Sequence, residues 1–331
     1  MTTREYRALR VEDVVSFLRN PGPTIICCHA RPDADCIGSA FALSLCLRAL
    51  GSHAYVLCAD EIPARLRFLT NGLQESTLVE SLPEDFAEAR VVTVDTSAPS
   101  QMDKLFDVFG ERVSLMIDHH EKGIPYADAL ICATASCSEI ILDIIVAAGV
   151  TVTTQMATLL YAGLSSDTGC FRYSNVREDT HMRAASLIAL GIDAAEINRQ
   201  LLESKSYVQL RAERVGFDRL HFYADGKVAV LTFPYELATE IGATDEHLGT
   251  LIDVARTVQG VELAAAIRGT ASGAIRASLR ANTAYDVATV AARFGGGGHM
   301  RAAGVTMPVE TLAEAETLLA EALVALVEGN A

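Results

Sequence analysis

Val113-Ser114-Leu115-Met116-Ile117-Asp118-His119-His120 is the stretch from which the fold is read. Val113 to Ile117 is a short apolar run that predicts a strand, and it stops at one acid and two imidazoles. Three other clusters share this form. His29-Ala30-Arg31-Pro32-Asp33-Ala34-Asp35-Cys36-Ile37-Gly38-Ser39 follows the apolar run Thr24 to Cys28. Asp95-Thr96-Ser97 follows Val91 to Val94, and Ser165-Ser166-Asp167-Thr168-Gly169 closes a helical stretch that starts at Thr154.

Working outward, strands and helices alternate. Ile37 to Leu50 has helical periodicity and stops at Gly51; Ala54 to Cys58 predicts another strand; Ser138 to Ala148 predicts a helix ending at Gly149. Alternation of this kind argues for an α/β domain with a mostly parallel sheet and flanking helices. Such sheets bind ligands beyond the carboxyl ends of their strands. His29, Asp95 and Asp118 are therefore expected on one sheet edge, although they are far apart in sequence. From residue 177 to about 216 the pattern is helical. Beyond it, Leu220 to Tyr223, an Asp225-Gly226 turn and Val228 to Phe233 predict a hairpin. Val261 to Ile267 and Ala274 to Leu279 predict two more strands, and Asp286 to Phe294 and Val309 to Val327 two helices. The expected organisation is a domain over 1–185, a helical connector over 186–216, and a smaller α/β domain with a mixed sheet over 217–331.

Composition narrows the function. The chain has 331 residues, enough for two domains. No apolar run reaches the roughly 18–20 residues of a membrane span, and the first residues lack a signal-peptide core. A cytoplasmic protein with no membrane partner is the expectation. None of the eight cysteines forms a Cys-x-x-Cys pair, which points to buried thiols of a reducing compartment rather than structural zinc. A net charge of −15 disfavours long duplex DNA but not a small phosphorylated substrate.

An Asp after a strand often only caps a helix or closes an Asx turn. Four such clusters together point to more. His29, Asp33, Asp35, Asp95, His119, His120 and Asp167 offer hard oxygens and imidazoles, with no sulfur ligand implied. That donor set suits Mn²⁺ or Fe²⁺, with Mg²⁺ or Zn²⁺ as alternatives. It is too large for one ion and fits two. Two ions about 3.5–4 Å apart can clamp a phosphoryl group and activate water. A carboxylate shared by both ions is then expected, and Asp95 is the candidate.

These residues resemble the DHH phosphoesterases, a family named for the run matched by Asp118-His119-His120. Its first motif is matched by His29-x-x-Pro32-Asp33-x-Asp35-x-x-Gly38-Ser39, its second by Val94-Asp95-Thr96-Ser97, and its fourth by Ser166-Asp167-Thr168-Gly169. Gly295 to His299 with Ala302-Ala303-Gly304 resembles the family's DHH-associated substrate-binding domain. The resemblance spans about residues 10 to 330, and the domain order is similar to the nanoRNase/pAp-phosphatase subgroup. It implies one metal on His29, Asp33 and Asp95, and a second on Asp35, Asp95, His119 and Asp167. It further implies His120 facing the substrate phosphate, with Asp118 supporting its neighbours. Arg172 is a candidate substrate contact. Two Mn²⁺ ions are expected, with Co²⁺ or Mg²⁺ as substitutes.

The second domain makes physical sense as the substrate clamp. Successive glycines let backbone N–H groups approach a phosphate, so Gly296, Gly297 and Gly298 are candidates, with His299 at the loop's end. From Arg268 to Arg301 there are five arginines against one acid, Asp286. Arginine suits phosphate, and Arg276, Arg280 and Arg301 are candidate contacts. On a strand, Arg276 and Arg280 share a face with Ser278. The resemblance implies hydrolysis of short RNA oligonucleotides and of 3′-phosphoadenosine 5′-phosphate (pAp), with linear or cyclic dinucleotides as alternative substrates. A homodimer is left open. The rivals are a manganese inorganic pyrophosphatase, a RecJ-like exonuclease for long single strands, and a nucleotide sensor without turnover.

Overall fold

The structure, a computed structural model, describes residues 6–329 except 74, 77–81, 83–85 and 121–122. It divides into two compact units, Met1–Ser204 and Lys205–Ala331. The helices of the 177–216 stretch are split between them.

The first unit contains β1 (Thr24–Cys27), β2 (Ala54–Leu57), β3 (Glu75–Ser76), β4 (Arg90–Val94), β5 (Val113–Asp118) and β6 (Ala129–Ile131). Its helices are α1 (Val11–Arg19), α2 (Ala34–Ala49), α3 (Arg67–Thr70), α4 (Lys104–Phe109), α5 (Cys137–Ala147), α6 (Thr154–Asp167), α7 (Glu178–Ile188) and α8 (Ala194–Asn198). The strands form one sheet in the order β3-β2-β1-β4-β5-β6, and every pairing is parallel. Alternate strand residues serve two cores. Ile26, Val56, Val92, Leu115 and Ile117 pack with α1, α2, α5 and α6, whereas Ile25, Leu57, Val91 and Met116 pack with Met102, Leu105 and Phe109. Burial on both faces is why these strands read as continuous apolar runs.

The chain order reverses between β1 and β4, so their carboxyl ends flank the crevice of a doubly wound sheet. α2 starts in that crevice. Asp33 caps it, its Oδ1 accepting from the backbone N–H groups of Asp35 and Cys36, each at 3.0 Å. α2 is buried nearly all round because α5 and α6 cover its outer side. α2 and α6 meet through two glycines. A Cβ on Gly38 would stand 2.3 Å from the Leu159 carbonyl oxygen, and one on Gly163 2.6 Å from Asp35 Oδ1.

The second unit contains α9 (Tyr207–Asp218), α10 (Tyr235–Ile241), α11 (Asp245–Gly249), α12 (Leu251–Arg256), α13 (Val287–Arg293) and α14 (Leu312–Val327). Its strands are β7 (Leu220–Tyr223), β8 (Val228–Phe233), β9 (Leu263–Gly269), β10 (Ile275–Ala281), β11 (Gly297–His299) and β12 (Ala302–Met307). They form a mixed sheet in the order β11-β12-β10-β9-β8-β7, in which β8 and β9 are the parallel pair. The expected α/β class thus holds in both units. The expected loop over Gly295 to Gly304 is corrected: most of it is a hairpin of β11 and β12. A Cβ on Gly296 would lie 2.4 Å from the Gly304 carbonyl oxygen, and one on Gly298 2.5 Å from that of Ala302. Close approach of two strand backbones therefore accounts for glycine at both positions. Among the described residues no helix is long and apolar enough to cross a membrane.

Candidate metal centre

The ends of β1, β4 and β5 bring His29, Asp95, Asp118, His119 and His120 to one edge of the first sheet. The start of α2 adds Asp33 and Asp35, and the end of α6 adds Asp167. All eight residues expected in the carboxylate–histidine site belong to the first unit.

Asp95 stands at the centre. It is 3% exposed and has a left-handed φ of 53°, a strained backbone of the kind found at functional sites. Its two oxygens diverge: Oδ2 lies 3.6 Å from His29 Nε2, and Oδ1 lies 3.4 Å from His119 Nε2. Neighbours fix the direction of each imidazole. His29 Nδ1 is 2.8 Å from the Ala30 carbonyl oxygen, and His119 Nδ1 is 3.3 Å from that of Thr134. Donation there turns both Nε2 atoms toward the carboxylates, the arrangement that orients metal-binding histidines. His29 Nε2 is also 3.8 Å from Asp33 Oδ1, and His119 Nε2 is 3.5 Å from Asp167 Oδ2.

Asp35 and Asp118 are fully buried. Asp35 accepts from the first two N–H groups of α5, Cys137 at 2.6 Å and Ser138 at 2.9 Å, so its charge also suits that helix N-terminus. Asp118 Oδ1 accepts from the His119 N–H at 2.9 Å and from His120 Nδ1 at 2.8 Å. Asp118 thereby orients the whole Asp-His-His run.

Crowding perturbs the charges of Asp35, Asp95, Asp167 and His119. Burial and the neighbouring Asp95 push the Asp35 carboxyl up to about 7. Burial and the charges of Asp35, Asp33 and Asp95 hold Asp167 well above the usual carboxylate range. Burial opposes charge on Asp95, yet the facing imidazoles of His119 and His29 hold it below that range. Burial likewise opposes charge on His119, but the facing carboxylate of Asp95 and the charge of Asp35 push it up to about 10. Five acids in one cluster, three of them buried, call for cations.

Divalent ions fit the donors present. Asp95 Oδ1 and His119 Nε2 are both buried without a hydrogen-bond partner, and unsatisfied buried polar atoms need an explanation. Donors separated by 3.4–3.8 Å match ligands that sit about 2.0–2.3 Å from a common ion. Asp35, His119 and Asp167 form one group of mutually close donors; His29, Cys36 and Asp95 form another. The sequence implied no sulfur donor, so Cys36 is an addition.

Other expected residues lie elsewhere. Arg172 is exposed, and its Nε donates to the Gly169 carbonyl at 2.5 Å, tying it to the turn after α6. In the second unit, Arg276, Ser278 and Arg280 share the open face of β10. Opposite them on β12 stand Thr306, Gly304 and Ala302. A Cβ on Gly304 would meet only the Ala277 carbonyl oxygen, at 3.7 Å, so the strip between the two arginines is low. Arg276 is 3.7 Å from Asp245, which also pairs with Arg268 at 3.1 Å. Gly297 and Arg301 are exposed, and the side chain of His299 lies outside the described residues. Sequence reasoning missed Asn175, whose Nδ2 bridges the carbonyls of Ala135 and Asp167 at 3.0 and 3.1 Å. It also missed Gly163, for which an interior helix glycine was the available signal.

Residues 23–192 match the model of the DHH family, N-terminal domain, and residues 225–325 that of the DHHA1 domain. The chain is 30% identical over 305 residues to the bifunctional oligoribonuclease and PAP phosphatase NrnA of Thermus thermophilus, covering 91% of this chain and 89% of the relative. Its fold is similar to an exopolyphosphatase-related protein from Bacteroides fragilis, with a TM-score of 0.87, 22% identity and 95% of each chain covered. It is also similar in fold to the exonuclease RecJ bound to manganese, with a TM-score of 0.54, 17% identity, and 98% and 96% of the two chains covered.

Proposed function

Because this chain belongs to the DHH family of phosphoesterases, we propose that it hydrolyses short RNA oligonucleotides to mononucleotides and pAp to AMP. The observation that carries the reading is Asp95, whose two oxygens diverge toward two separate sets of donors. In this reading His29, Asp33 and Asp95 hold one ion, and Asp35, Asp95, His119 and Asp167 hold the other. The manganese of the RecJ structure and the N/O donor set support Mn²⁺. Bound there, two ions would neutralise phosphoryl charge and make a nucleophile available from water at neutral pH.

The chain's own residues do the rest. Asp118 aims His120 through Nδ1, and His120 meets the phosphate under attack. Arg172 is a further contact once its guanidinium leaves the turn. Arg276, Arg280 and Arg301, with Gly296, Gly297, Gly298 and His299, bind the phosphorylated end. The overlap with the Thermus relative across 91% of the chain supports oligonucleotide and pAp substrates. The 225–325 match to a DHHA1 domain speaks against a pyrophosphatase.

The test is turnover, with Mn²⁺, of a panel holding pAp, pApA, pGpG, cyclic di-AMP, a 5-mer, a 24-mer and pyrophosphate. Turnover of pAp and of the linear oligonucleotides up to the 5-mer is expected. Selective turnover of cyclic di-AMP or of pyrophosphate would replace the reading.

A further inference from the structure

Cys36 is the third residue of α2 and is fully buried. A buried cysteine is ordinarily a small apolar filler, but this thiol does not face only apolar atoms. Its Sγ lies 3.8 Å from the carbonyl oxygen of Val94, the residue that precedes Asp95 at the end of β4. Donor atoms of His29, Cys36 and Asp95 all lie within 4.8 Å of one another. Asp95, whose Oδ1 is buried without a hydrogen-bond partner on the His119 side, turns its other oxygen, Oδ2, to His29 Nε2 at 3.6 Å. Ligands of one ion, at about 2.0–2.3 Å from it, stand at comparable separations.

We propose that Cys36 Sγ is a further ligand of the ion held by His29 and Asp95, giving that half of the centre a mixed nitrogen, oxygen and sulfur set. The inference rests on the metal centre proposed above and adds a donor to it. On binding, the S–H bond breaks, its proton passes to solvent, and sulfur donates its lone pair to the ion; nothing is oxidised or reduced. A thiolate favours softer ions, so this position gains preference for Fe²⁺, Co²⁺ or Zn²⁺ over Mn²⁺ and Mg²⁺. Loss of the sulfur should narrow the affinity gap between Zn²⁺ and Mn²⁺ by about tenfold or more, within the range seen when a metal's surroundings are altered.

The test uses the full chain, stripped of metal and loaded with Co²⁺. The native protein should show a near-ultraviolet thiolate-to-cobalt charge-transfer band, which Cys36→Ala should lose and Cys132→Ala should keep. A native spectrum in Cys36→Ala at unchanged cobalt content would overturn the assignment. Should Cys36→Ala not fold, X-ray absorption of the native Zn²⁺-loaded protein decides. A metal–sulfur shell at about 2.3 Å supports the ligand, and a shell of nitrogen and oxygen alone overturns it. If the native chain binds no divalent ion, the metal centre itself fails; if it binds ions without sulfur, only the Cys36 ligand fails.

Discussion

Replacing Gly163 by alanine should cost more in activity than in stability. Inside a helix, alanine is favoured over glycine by about 1 kcal/mol, so an unobstructed substitution would stabilise α6. Here the new Cβ would stand 2.1 Å from Ser138 Oγ, 2.6 Å from Asp35 Oδ1 and 2.9 Å from Asp35 Cα. Ser138 can rotate away. Asp35 cannot, because its oxygens accept from two N–H groups of α5 and its Cα belongs to α2. The first turn of α2 must therefore move by several tenths of an ångström, and Asp35 Oδ1 by roughly 1 Å to restore ordinary contact. Overpacking of this kind costs about 1–3 kcal/mol. Helix propensity offsets part of it, leaving a net loss of about 0–2 kcal/mol. A 1 Å misplacement at a reacting centre costs about 100-fold in rate, or about 2.7 kcal/mol in barrier. The assay is pAp hydrolysis at saturating Mn²⁺ beside a thermal melt, with Gly249→Ala as the comparison, since nothing lies within 4 Å of its new Cβ. Wild-type kcat and Mn²⁺ affinity in Gly163→Ala would refute the claim that this helix contact sets the metal site.

Asp95→Ala should lower metal content and reduce kcat by more than tenfold, about 1.4 kcal/mol in barrier; retention of more than a tenth of wild-type kcat would remove its bridging role. His299→Ala should raise KM while leaving the metal bound, and elemental analysis showing lost metal would end the separation of roles. RNAs of about 2–5 nucleotides should be degraded far faster than 24-mers at physiological salt, because long strands bind through many phosphate contacts and this chain carries a net charge of −15. Comparable kcat/KM for a 3-mer and a 24-mer would favour a long-strand exonuclease.

The first unit was legible because its chemistry sits where its pattern changes. β1, β4 and β5 are apolar runs, and each breaks at a cluster of Asp or His. β6 escaped notice because three residues, Ala129–Ile131, carry too little pattern. β11 was hidden by its glycines, which suggest a loop until β12 is seen alongside. α10, α11 and α12 are 7, 5 and 6 residues long, too short for helical periodicity to declare itself. The roles of Gly163, Asn175 and Cys36 depend on neighbours remote in sequence. Asn175 Nδ2 joins carbonyls 40 and 8 residues away, and no local spacing encodes that.

Manganese back-titration of the demetallated chain, with pAp hydrolysis followed at each addition, tests the central claim most directly. The account predicts no turnover in the metal-free protein and activity that rises to its plateau as the second equivalent binds. Full turnover after exhaustive chelation, with no metal found by elemental analysis, would contradict it.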